Sequence, residues 1–164
     1  MIDWDDKAAV LKAVKKNGLE LYRASKRLRD DKEIVLAAVK NKGLALYHAS
    51  ERLRDDKEIV FAAVKKNGWV IAIASPRLQD NKEVVLTAVK QDAETLKYVS
   101  EQLRDDEEVV REALKKNVYM MKYASERIQN DENILKDIPK YVFADFQKYM
   151  FARTQKERRK NEKA

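Results

Sequence analysis

Five serines stand 25 residues apart, Ser25, Ser50, Ser75, Ser100 and Ser125, and a serine hydroxyl becomes a nucleophile when a base lies beside it. That base is missing. His48 is the one imidazole in the chain, and no pair of glycines flanks any of the serines to form a nucleophile elbow. A small residue bonding nearby backbone explains five equivalent copies better. Paired aspartates such as Asp30 and Asp31 recur with the same spacing, which suits helix caps and not a single general acid and base. With no cysteine and one histidine, thiolate chemistry and multi-histidine metal sites are excluded. The expectation is a non-enzymatic protein with no catalytic residue, no metal and no cofactor. His48 itself is read as a surface or edge residue.

Recurring cations offer a second kind of chemistry. Lys15, Lys40, Lys65, Lys90 and Lys115 form a row that register extends to Lys140, and Arg27, Arg52, Arg77 and Arg127 form another. A lysine row could neutralise a phosphate backbone without reading its sequence, or simply complement helix C-termini. The distribution of charge bears on the choice. Residues 5–29 carry eight basic and three acidic residues, the next two units are each +1, and the fourth and fifth are each −1. A uniform nucleic-acid track would not fade along the array. Candidate phosphate contacts therefore concentrate at the two basic ends: Lys12, Lys15, Arg23 and Arg27, then Arg158 and Arg159 in the tail.

Aromatic residues offer a third. Trp69 and Ile73 stand where the units differ most, within the unusually apolar "GWVIAIASP", and Tyr98, Tyr119 and Tyr123 occupy equivalent stretches later in the chain. At α-helical spacing Trp69 and Ile73 share a face, as do Tyr119 and Tyr123. Phe151 lies off the apolar stripe of its own segment. These six residues are the candidate partner-binding set, because aromatics on a repeat surface give large contact area at small entropic cost.

All of these positions are set by one period. "DDKEIVLAAVK" at Asp30 returns as "DDKEIVFAAVKKNG" at Asp55, "DNKEVVLTAVK" at Asp80 and "DDEEVVREALKKN" at Asp105 without a slip. Units begin at 5, 30, 55, 80 and 105, with a fragment from 130. Within each, Asp followed three residues later by Glu predicts a capping box opening a helix A at Asp30, Asp55, Asp80 and Asp105. Apolar residues such as Ile34, Val35, Ala38 and Val39 supply its buried stripe. Lysine and then Gly43 or Gly68 predict its end, the glycine being free to take positive φ. Helix B carries Leu46, Ala49, Ser50 and Leu53. Pro76 after Ser75 predicts that helix B bends or ends at the serine, which then caps a short extra turn.

Helices of this length are marginal alone, so neighbours must bury each stripe. The fold class expected is all-α: an α-solenoid of five 25-residue helix-turn-helix repeats, closed by a C-terminal capping helix. Recurring Ala13, Ala38, Ala63, Ala88 and Ala113 mark one helix crossing, and Ala24, Ala49, Ala74 and Ala124 a second. Residues 1–138 form the repeat domain. Residues 139–164 form a C-terminal helix and tail that is both aromatic and basic.

The recurring "LRDDKEIVLAAVKKNG" followed by "LALYHASERLR" resembles the tandem unit of the family known as domain of unknown function 4116, in which a pair of units counts as one domain. The resemblance covers about residues 5–129. It implies helical repeats and supplies no activity or catalytic residue. The fourth unit departs from it with Asp92 and Ala93 in place of Asn-Gly.

The opening "MIDWDDKAAV" lacks an apolar run, and no stretch approaches the ~20 apolar residues of a membrane span. A soluble, intracellular and most simply cytoplasmic monomer is expected. Its function is expected to be protein or peptide binding on a concave helix-B surface, with nucleic-acid or ribonucleoprotein binding through the basic first repeat and tail as the alternative.

Overall fold

The computed structural model of the protein describes residues 2–136 and Lys148. Its long α-helices are Lys7–Lys16, Lys32–Asn41, Lys57–Val64, Lys82–Gln91 and Glu107–Lys116, one per unit, each packed on the next. The start of a sixth follows at Glu132–Leu135, and no strand occurs among the described residues. The repeat domain is an α-solenoid, and the expected C-terminal helix from 139 lies outside the described residues.

The expected helix B is two pieces in every unit. First come six residues of 3-10 helix: Gly18–Arg23, Gly43–His48, Gly68–Ile73, Ala93–Tyr98 and Val118–Tyr123. The serine then adopts extended backbone and caps a short turn, Glu51–Arg54, Pro76–Gln79, Glu101–Arg104 or Glu126–Gln129. In the first unit that turn is the 3-10 segment Leu28–Asp30. Ser75, at φ −59° and ψ 153°, has the conformation that a following proline favours. Pro76 thus marks a break common to all units.

Two expectations about the ends of the long helices are corrected. The cap is the second residue of each pair: Asp6, Asp31, Asp56, Asn81 and Asp106 accept the N–H of a residue two or three further on. The first aspartate closes the preceding turn instead, so the predicted box is displaced by one residue. Nor does any glycine among the described residues adopt positive φ. A Cβ on Gly43 would lie 2.5 Å from the carbonyl oxygen of Ala63, and one on Gly68 2.6 Å from that of Ala88. Glycine is required by the close approach of the next long helix. The fourth unit, with Ala93, still makes the same turn, and Asp92 accepts the N–H of Glu94 as Asn67 accepts that of Trp69.

One continuous apolar cluster runs from Val10 to Ile134. Ala38, Ala63, Ala88 and Ala113 are wholly buried along it, as the small-residue crossing requires.

Candidate functional site

Each serine is the centre of a clamp between units. Its backbone N–H crosses to the preceding unit, Ser50 to the carbonyl of Arg29 at 3.0 Å and Ser75 to that of Arg54 at 3.1 Å. Its hydroxyl accepts the N–H of Leu53 or its equivalent and donates to the first aspartate of its own unit: Ser25 to Asp5 at 2.6 Å, and likewise Ser50 to Asp30, Ser75 to Asp55, Ser100 to Asp80 and Ser125 to Asp105. Two residues on, Arg27, Arg52, Arg77 and Arg127 donate to the carbonyl oxygens of the same aspartates at 2.5–2.8 Å. The serine hydroxyl first, and the guanidinium after it, hold Asp5, Asp30, Asp55 and Asp105 below the ordinary carboxylate value. This is a joint between repeats with no base in it.

A lysine row that sequence reasoning missed runs beside the clamps. Lys7 lies 2.8 Å from Asp31 and 2.9 Å from Glu33 of the next unit, and Lys32 and Lys82 repeat the pattern. Lys57 meets Glu83 alone, because Asn81 replaces the aspartate. Burial alone would raise Asp31, but the Lys7 ammonium and the N–H groups of Ile34 and Glu33 together outweigh it and hold it low. The acidic edge of the array is thus largely neutralised from within.

Of the candidate phosphate contacts, Arg27 is held by Asp5, and Arg23 lies 3.5 Å from Glu20 with its guanidinium 4.4 Å from the Trp4 ring. Lys12 and Lys15 are exposed. Arg158, Arg159 and Lys140 lie outside the described residues. Within the position-eleven row, Lys65 lies 4.3 Å over the Phe61 ring and Lys115 pairs with Glu112.

The aromatic set divides. Trp69 is half-buried: its indole N–H donates to Asp92 at 2.6 Å, its ring meets Tyr98 edge-on at 5.7 Å, and the Lys97 ammonium lies 4.4 Å over it. Ile73, Tyr98 and Tyr123 are partly buried against the core, and Tyr119 is 54% exposed. Phe151 lies outside the described residues. The expected sharing of a face by Trp69 with Ile73, and by Tyr119 with Tyr123, is corrected by the 3-10 geometry. At three residues per turn, positions four apart are ~120° apart and positions three apart eclipse.

That same geometry creates a surface the candidate set lacks. In the first two units the outward pairs are Leu19 with Tyr22 and Leu44 with Tyr47, exposed by 38%, 58%, 42% and 52%. Trp69 continues the row in the third unit. In the fourth the pair becomes Glu94 and Lys97, 3.5 Å apart, and the apolar strip stops. The missed signal is the spacing Leu-x-x-Tyr, repeated in units one and two. Between Leu19 and Leu44 lies a cavity of about 230 Å³, lined also by Asn41, Lys42, Lys66 and Asn67. His48 is half-buried near Tyr22, with ring centres 6.0 Å apart; burial first, and the Arg29 charge second, push its imidazole toward the neutral form.

Among the described residues no cluster of His, Cys, Asp or Glu could hold a metal ion, and no helix is long and apolar enough to cross a membrane. The family model described as "Domain of unknown function (DUF4116)" matches five overlapping segments: residues 6–54, 31–79, 56–104, 81–129 and 106–138. Each match begins at the residue that caps a long helix, and successive matches step by one unit. Comparison with curated proteins and with solved structures returns no match.

Proposed function

We propose, for a chain that belongs to the DUF4116 family, that it is a non-enzymatic scaffold binding a segment of a partner protein along the outward face of its 3-10 layer in units one to three. One observation carries this reading. Leu19, Tyr22, Leu44 and Tyr47 remain exposed where, among the described residues, most other large apolar side chains are packed into one core. Leucine and tyrosine in a row, leading to a half-buried indole, offer apolar area together with phenol groups able to hydrogen-bond a partner. The recurring polar groups support the same reading by exclusion, since serines, first aspartates and clamp arginines are committed to bonds inside the array.

Capture of partners from source-cell extract, with and without nuclease, tests the proposal. Tyr47→Ala removes an exposed ring without opening the core. It is expected to weaken nuclease-resistant capture by about tenfold or more while the helical circular-dichroism spectrum stays unchanged. Unaltered capture by Tyr22→Ala and Tyr47→Ala together would place the site elsewhere, and capture abolished by nuclease would favour the nucleic-acid alternative.

A further inference from the structure

The strip is apolar along its middle and cationic along one rim. There Lys42 and Lys66 line the same cavity as Leu19 and Leu44. Neither ammonium has an ion-pair or hydrogen-bond partner among the described residues, in contrast to Lys7, Lys32 and Lys82, which each bridge two carboxylates. Acid is scarce on this face. Glu20 is the one carboxylate in the first three 3-10 segments and is turned to Arg23, Asp92 is engaged by the Trp69 indole N–H, and Glu51 stands at the start of a following short helix.

Unpaired cations flanking exposed leucines call for a ligand that brings both apolar and negative groups. From this charge complementarity, and resting on the reading that the strip holds a protein segment, we infer that the partner is an acidic, extended segment with an apolar residue at every third position. The spacing follows from the fold. Stacked helices lie ~8–10 Å apart, which sets the step from Leu19 to Leu44 to Trp69. An extended chain of polyproline type advances ~3.1 Å per residue with three residues per turn, so every third side chain faces the same way after ~9 Å. Apolar side chains then enter between successive Leu-Tyr pairs, and the carboxylates between them reach Lys42 and Lys66.

The test uses the full chain and synthetic twelve-residue peptides: four Leu-Glu-Pro repeats, four Leu-Lys-Pro repeats and four Ser-Glu-Pro repeats. A uridine oligonucleotide forms a fourth arm. Calorimetric titration at near-physiological salt is expected to show the Leu-Glu-Pro peptide binding at least about tenfold more tightly than the other two peptides. The double variant Lys42→Glu, Lys66→Glu, altered only at exposed side chains, is expected to reverse the order of the two leucine peptides. Equal or tighter binding of Leu-Lys-Pro would overturn the acidic partner while leaving a protein segment on the strip. Equal binding of Ser-Glu-Pro would show that charge alone is sensed and would remove the leucines from the site. Binding of the oligonucleotide alone, lost in the double variant, would overturn both this inference and the reading it rests on; no binding in any arm would overturn the inference.

Discussion

The hydroxyl of Ser50 accepts the N–H of Leu53 and donates to Asp30, so one atom caps a helix and ties the end of its unit to the beginning. Ser50→Ala removes both of these bonds, leaving Asp30 to Arg52 alone, and is expected to cost ~1 kcal/mol, the usual value of an N-cap, measured by denaturant unfolding. The carboxylates give a pH signature. Folding lowers the pKa of Asp5, Asp30, Asp55 and Asp105, so their contribution is fully present above the ordinary value of 3.8 and is lost as pH falls through the lower folded value. Melting temperature should therefore hold from neutrality to about pH 5 and decline below about pH 4, more shallowly in the double variant Asp30→Asn, Asp55→Asn. An identical decline in the variant would remove the clamp from the account. In the sequence, these serines, aspartates and arginines were legible as recurring but not as partners. The pairs lie 20 and 22 residues apart at opposite ends of one unit, and when everything recurs at 25, the recurrence carries no information on which positions meet.

At the scale of elements, the long helices were legible because their apolar positions follow an α-helical stripe, whereas the second helix concealed its period. Six residues such as "GLALYH" fit one and a half α-helical turns or two turns of 3-10 helix. Only the burial of Gly43, Ala45 and Leu46, with Leu44 and Tyr47 outside, distinguishes them. Assuming the α period directed attention to Trp69 with Ile73 and away from Leu44 with Tyr47. The packing of layers yields two further expectations. Ala63 is wholly buried at the central crossing, so Ala63→Leu should cost ~1–3 kcal/mol by overpacking. Gly43→Ala would drive a methyl into the Ala63 carbonyl and should likewise cost ~1–3 kcal/mol, seen as a lower unfolding midpoint. A midpoint unchanged in both would mean that the long helices are farther apart than the close approach at glycine requires.

For the whole molecule, the net charge of +7 is a poor guide to function because its acidic half is spent within the array. Among the described residues, Lys7, Lys32, Lys57 and Lys82 neutralise carboxylates of the next unit, the clamp arginines neutralise aspartates of their own, and Lys12, Lys15, Lys42 and Lys66 are among the cations left without an acidic partner. Weak, sequence-independent binding of RNA or DNA is therefore expected at low salt and should vanish near physiological ionic strength. Retention of tight binding there, lost on reversing Lys12 and Lys15, would make nucleic acid the principal ligand. The solenoid was legible from its period, while the face proposed for the partner depended on a local helix type that the period does not specify.

The central claim is that partner contact follows the three-residue spacing of the 3-10 layer in units one to three. Hydroxyl-radical footprinting of the chain, alone and in its captured complex, tests it directly. Protection is expected at Leu19, Tyr22, Leu44 and Tyr47, with Tyr119 unchanged beyond the Glu94–Lys97 pair that ends the strip. Protection confined to Leu36 and Phe61 on the long helices, with Tyr22 and Tyr47 as reactive as in the free chain, would contradict the account.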